Sequence, residues 1–168
     1  MNNINLAVKI ERAISELRRG GKIIISDINS GMSVILTAAE MIEIYTVTSL
    51  SQITSSRPNL ILSSNRANTL GLTSNNYPCS ILIEKTWNIN DILSLCMPIH
   101  NHSQPNLNGV VFEKSNNVVS SCLLLLRQAR LLPAGIMSII SSVPIEKVND
   151  WASKNNIIYI DSIDVKSF

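Results

Sequence analysis

Few residues in this chain combine a type and a spacing that do chemistry. His100-Asn101-His102 is the arrangement best suited to a metal, because two imidazoles one residue apart in a loop can chelate one ion. The pair has no Cys, Asp or Glu close by in sequence, and a solvated loop is the plainer reading. Asp27 closes the apolar run Ile23-Ile24-Ile25-Ser26, where it is either a ligand or the cap of a turn through Asn29. Ser63-Ser64-Asn65-Arg66 precedes a short helical pattern. It offers hydroxyl, backbone N–H and guanidinium groups to an anion, unless Ser64 simply caps the helix. Cys79, Cys96 and Cys122 are odd in number, far apart and without a zinc spacing, as buried thiols in a reducing compartment would be.

The elements that must position these groups alternate along the chain. Apolar residues at Leu6, Ile10, Ala13, Ile14 and Leu17 predict an amphipathic helix over 6–19, stopped by Gly20-Gly21. Strands are expected over 22–28 and 33–38, joined by the turn Asn29-Ser30-Gly31. A helix over 49–54, a strand over 59–63, a helix over 65–70 closed by Gly71 and a strand over 80–84 follow. Asn88-Ile89-Asn90-Asp91 opens a helix through Leu95, and 100–108 is a polar loop. After a strand over 109–112, Leu123 to Leu126 cover most of the circumference of a core helix over 122–132, ended by Pro133. Ile136 to Ile140 then reads as an inner strand covered on both faces. A surface helix starting at Pro144, with Trp151 inward, and a strand over 157–160 complete the chain. The fold class is therefore α/β or layered α+β, a mixed sheet with flanking helices in one domain over 1–168.

Charge and composition narrow the function. The 168 residues carry a net charge of only +2, and Arg18-Arg19 is the one adjacent basic pair, so a nucleic-acid partner has little support. No apolar run reaches the eighteen or so residues of a membrane span, which sets the expectation of a cytoplasmic protein without a membrane partner.

Five stretches in order carry a more specific signal: ISELRRGGKIIISD ending at Asp27, TAAE from Thr37, LILSSNRANTLGL from Leu60, LLLLRQARLLPAGIMSII from Leu123 and VNDWASKNNIIYIDSIDV from Val148. Together they resemble 3,4-dihydroxy-2-butanone 4-phosphate synthase, the riboflavin-pathway lyase that turns ribulose 5-phosphate into a four-carbon phosphate and formate. The resemblance implies that family's mixed-sheet fold and magnesium-dependent chemistry. It also implies an acidic loop after the first strand, which here is the shorter Asp27-Ile28-Asn29-Ser30-Gly31-Met32-Ser33, with only Asp27 matching.

The family's R-x-G-H-T-E-A motif, counted back without gaps from Pro133-Ala134-Gly135, puts Val118 at the metal-binding His, Val119 at the Thr and Ser120 at the Glu. The catalytic Glu after the P-A-G turn falls on Ile139, and Pro98-Ile99-His100 stands at the family's P-G-H. Asp27 and His100 are thus the remnants of the implied site. Hard oxygen ligands are what magnesium requires, and they are missing from these positions. The resemblance is strongest to the degenerate synthase-like domain preceding GTP cyclohydrolase II in alphaproteobacteria. It implies a catalytically silent accessory domain without cofactor, a homodimer with Arg127 and Arg130 at the rim or the interface, and GTP cyclohydrolase II as a partner. The alternative it leaves is a divergent lyase that still uses magnesium. A nucleotide-binding module is a third class, weakened by the missing basic groove.

Overall fold

Ile23, Ile24 and Ile25 are all fully buried, yet successive strand residues face opposite sides, so the sheet that holds them must be covered on both faces. That is the arrangement in the computed structural model, which describes residues 3–72, 77–99, 101–110, 112–114 and 116–168. The described residues form seven strands: β1 (Ile23–Asp27), β2 (Met32–Ala38), β3 (Asn59–Leu62), β4 (Cys79–Leu82), β5 (Phe112–Lys114), β6 (Ala134–Ile139) and β7 (Ile158–Asp161). They lie in the order β5-β4-β3-β6-β2-β1-β7. All neighbours are antiparallel except β1 and β7. The mixed sheet expected from the sequence is therefore present.

Among the described residues seven α-helices cover it: α1 (Asn3–Arg18), α2 (Thr46–Thr54), α3 (Ser64–Thr69), α4 (Ile89–Cys96), α5 (Asn117–Gln128), α6 (Val148–Lys154) and α7 (Ser162–Ser167). Ile23, Ile25, Leu36 and Met137 pack with α1, α5 and α7, whereas Ile24, Ile35, Leu60 and Ile136 pack with α2, α3, α4 and α6. The two cores follow directly from the period of two along each strand. Each fully buried Ile or Leu contributes about 1.5–3 kcal/mol relative to exposure, so the layers hold each other in place.

Helix α5 differs from its expected span. It starts at Asn117 because Asn116 caps it, its Oδ1 accepting the Val119 N–H at 2.9 Å. It ends five residues before Pro133. Arg130 adopts a left-handed φ of 56°, its N–H donates to the Arg127 carbonyl, and the Leu131 N–H reaches back to the Leu126 carbonyl. This closure needs a residue at positive φ and no proline. The same closure ends α1 at Gly20 and α3 at Gly71, as the sequence predicts, and α6 at Asn156. Strand β5 is also displaced: Gly109, expected in the strand, sits at φ 78° in a turn closed by the Val110 N–H on the Leu107 carbonyl.

Arginine in the left-handed region carries a Cβ penalty that glycine avoids. Arg130→Gly is expected to stabilise the protein by about 0.5–1 kcal/mol, read as a higher urea midpoint with an unchanged denaturant slope.

Candidate functional site

Asp27 is the last residue of β1 and pairs with Met32 across the hairpin. Its side chain is buried, at 4% exposure. One carboxylate oxygen, Oδ1, accepts the Asn29 N–H at 3.1 Å, and the Ser30 hydroxyl donates to the Asp27 carbonyl. Asp27 thus caps the turn in the way short acidic side chains do. The other oxygen, Oδ2, is buried without a hydrogen bond among the described residues.

The sheet register brings the remaining positions to the same place. Ile25, Val34 and Ile139 lie in one row across β1, β2 and β6, and residues in one row share a face. Asp27 is two residues beyond Ile25 and faces the same α5 side. The N-cap of α5 closes the edge, with Asn116 Nδ2 donating to Met32 Sδ at 3.5 Å. Val118, in the first turn of α5, is 1% exposed within that core, while Ile139 is 36% exposed. At the strand end that carries Asp27, Met32 is its cross-strand partner, Ile139 stands on the same face two strands away in the row of Ile25, and Val118 packs in the core of that face, while the hairpin holds one of the two carboxylate oxygens.

The magnesium that the resemblance implies does not fit these groups. A divalent hard cation takes several oxygen ligands, and among the described residues no three His, Cys, Asp or Glu side chains gather into a group able to hold a metal. Val118 and Ile139 supply none.

The other sequence candidates separate. His100 lies outside the described residues, while Pro98 and Ile99 beside it are exposed, Ile99 at 91%. His102 is not without acids, as its sequence neighbourhood implied. Its Nε2 sits 3.0 Å from Asp91 Oδ1, in the first turn of α4. Asp91 Oδ2 also accepts the Asn88 N–H at 2.7 Å while Asn88 Oδ1 accepts the Asp91 N–H, a capping box. His102 therefore fastens the 101–110 segment to a helix start.

The Asn88 N–H is the main reason the Asp91 carboxyl titrates below its ordinary range. Burial opposes this effect and His102 adds to it. A folded-state value below the unfolded one stabilises the protein above the unfolded value, and that stabilisation is lost as pH falls through the folded one. The stability gap between the native chain and Asp91→Asn is accordingly expected to be present at neutral pH and to close below about pH 4, measured by urea unfolding at a series of pH values.

Ser63, not Ser64, caps α3 by accepting the Arg66 N–H. The Arg66 guanidinium is engaged elsewhere: Nε donates to the Leu95 carbonyl at 2.6 Å, and Nη2 to Ser94 and Met97 at 2.8 and 3.3 Å. It closes the C-terminal end of α4 and leaves no built anion site on the six-residue α3. The three thiols are buried as expected. Burial pushes Cys79 up to about 11 and Cys96 to about 12, and raises Cys122 as well, which disfavours reactive thiolates. Arg127 and Arg130 are exposed at the far end of α5 from Asp27, where Arg18 Nε donates to the Ala129 carbonyl at 2.8 Å.

Among the described residues no helix is long and apolar enough to cross a membrane. No family model matches the sequence, and no curated protein does. Solved structures do match. A two-domain 3,4-dihydroxy-2-butanone 4-phosphate synthase from A. baumannii superposes with a TM-score of 0.71 at 16% identity, over 93% of this chain and 56% of that one. This chain thus spans little more than half of that protein's length. A 3,4-dihydroxy-2-butanone 4-phosphate synthase of Candida albicans gives 0.65 at 19% identity, over 94% and 95% of the two chains. A synthase structure in complex with two magnesium ions gives 0.65 at 13% identity, over 92% and 93%. The fold is that of 3,4-dihydroxy-2-butanone 4-phosphate synthase, as the sequence resemblance implied.

Proposed function

We propose that this chain is a catalytically silent scaffold with the synthase fold, serving riboflavin biosynthesis as an assembly or accessory domain. The observation that carries the reading is the strand end around Asp27. There the positions that the resemblance assigns to a metal ligand and a catalytic acid are the apolar Val118 and Ile139, and Asp27 is committed to its own turn. Enolising a sugar phosphate needs a base and a stabilised oxyanion, and Val118 and Ile139 provide neither. The partner suggested by the sequence resemblance is GTP cyclohydrolase II, and the scaffold acts as a homodimer. A divergent magnesium-dependent lyase using Asp27 and His100 is the second reading. One observation favours it, the buried Oδ2 of Asp27 that lacks a protein partner among the described residues.

Incubating the purified chain with ribulose 5-phosphate and magnesium separates the two, with formate followed by proton NMR and folding verified by circular dichroism. The scaffold reading expects no formate above the buffer control, from the native chain and from the Asp27→Asn, His100→Ala variant alike. Formate from the native chain that disappears in the variant would establish the lyase.

A further inference from the structure

On the sheet face opposite Asp27 and Ile139, a cleft of about 460 Å³ opens between α2, the ends of β3 and β4, and the first turn of α4. That volume lies in the range of small-molecule sites, roughly 300–1,000 Å³. Its walls are Ile42, Val47, Ile83, Ile92 and the half-buried Trp87. Its charged groups are arranged unequally around the mouth. Arg57 stands on the β3–β4 side, its Nε and Nη2 both donating to the Ile83 carbonyl, at 3.1 and 3.0 Å, and Nη2 also to Glu84 Oε2 at 3.0 Å. Two fixed acceptors hold the fork in place and leave Nη1 without a hydrogen bond among the described residues. Lys85 adjoins it, exposed, with no partner there. Glu43 stands on the segment leading into α2.

We propose that this cleft binds a small monocarboxylate with a flat apolar body. The body replaces water against Trp87 and the isoleucines, and the carboxylate accepts from Arg57 Nη1 and the Lys85 ammonium, as charge-assisted hydrogen bonds. Arg57 and Lys85 against Glu43 and Glu84 leave the lining without net charge, so one carboxylate is held locally beside the two cations and a second negative charge on the ligand meets no further cation. Sugar phosphates and nucleotides are disfavoured on that ground, and the site is independent of the strand end that carries the proposed function.

The test is an NMR titration of the full chain with three probes of one ring system: indole-3-propionate, indole and tryptamine. The expected result is saturable shifts at Ile83, Trp87 and Ile92, with the propionate binding up to about fivefold more tightly than tryptamine, the reach of a partly exposed charge pair. Lys85→Gln, a change at an exposed side chain, is expected to remove much of that preference and to leave indole unaffected. Ser51→Trp, filling the cleft from α2, is expected to abolish binding of all three. The proposal is overturned if the lining residues do not shift, if tryptamine binds as tightly as the propionate, or if Lys85→Gln changes nothing. The Lys85 arm decides the matter even where the bulkier variant does not fold.

Discussion

Arg66→Ala is expected to cost about 2–4 kcal/mol, more than any other exposed or half-exposed side chain described above. A hydrogen bond involving a charged group contributes about 1.5–3 kcal/mol, and Arg66 makes three, all to carbonyls at the end of α4. Those carbonyls have no partners within the helix and carry the negative end of its dipole, which favours a cation by a further 0.3–1 kcal/mol or so. Water replaces part of the loss because the site is only half buried, which brings the sum down to the stated range. Arg66→Lys is expected to recover less than half, since an ammonium cannot span carbonyls that the planar fork reaches together. Thermal unfolding checks both, with the alanine variant melting on the order of 10 °C lower. A loss under 1 kcal/mol would return Arg66 to the list of candidate anion ligands.

The history of Arg66 shows what a sequence makes legible. Its position before a short helix suggests an anion site, and nothing local says otherwise, because its partners lie 28 to 31 residues further along the chain. His102 and Asp91 are eleven residues apart and equally invisible to one another. The sheet was readable because β-branched runs such as Ile23-Ile24-Ile25 can be satisfied only between two layers. The bounds of β5 were not, since Phe112-Glu113-Lys114 carries no such pattern and is defined by its pairing with β4, so the strand expected over 109–112 lies further along the chain.

Helix ends divide in the same way. Gly20 and Gly71 announce a left-handed closure through their residue type, and Asn156 makes it as the side-chain-bearing residue that tolerates it best, whereas Arg130 makes the same closure against its intrinsic preference. Pro133, with an obvious reason to stop a helix, comes five residues after α5 has already ended. At the strand end, the family resemblance implied that Val118 and Ile139 share a site with Asp27, and the β1–β2–β6 register puts Ile139 on its face. That Asp27 Oδ2 is buried without a hydrogen bond among the described residues was beyond sequence, because it depends on burial and not on residue type.

Pro133-Ala134-Gly135 has a second role that its helix-stopping appearance concealed, and it yields the other large effect. Gly135 lies in the middle of the sheet, paired with Ala38 on β2 and Ile61 on β3, under α5. A Cβ at this position would stand 2.8 Å from Leu36 Cδ1, 3.1 Å from Leu126 Cδ1 and 3.1 Å from the Thr37 carbonyl oxygen. The first two are the ends of side chains, which move where there is room, but Leu36 and Leu126 are fully buried in the α5-side core and have none. The third is backbone of the adjacent strand. Gly135→Ala therefore forces α5 away from the sheet or a leucine off its rotamer. The expected cost is about 1–3 kcal/mol, with Gly135→Val costing more. Glycine's entropic disadvantage in a strand would by itself make alanine stabilising by several tenths of a kcal/mol, so the two arguments predict opposite signs. Urea unfolding of Gly135→Ala decides between them. Paired with Leu126→Ala, which removes one of the obstructing methyls, the double variant is expected to lose less than the sum of the two single losses. Simple additivity would mean that α5 does not rest on Gly135.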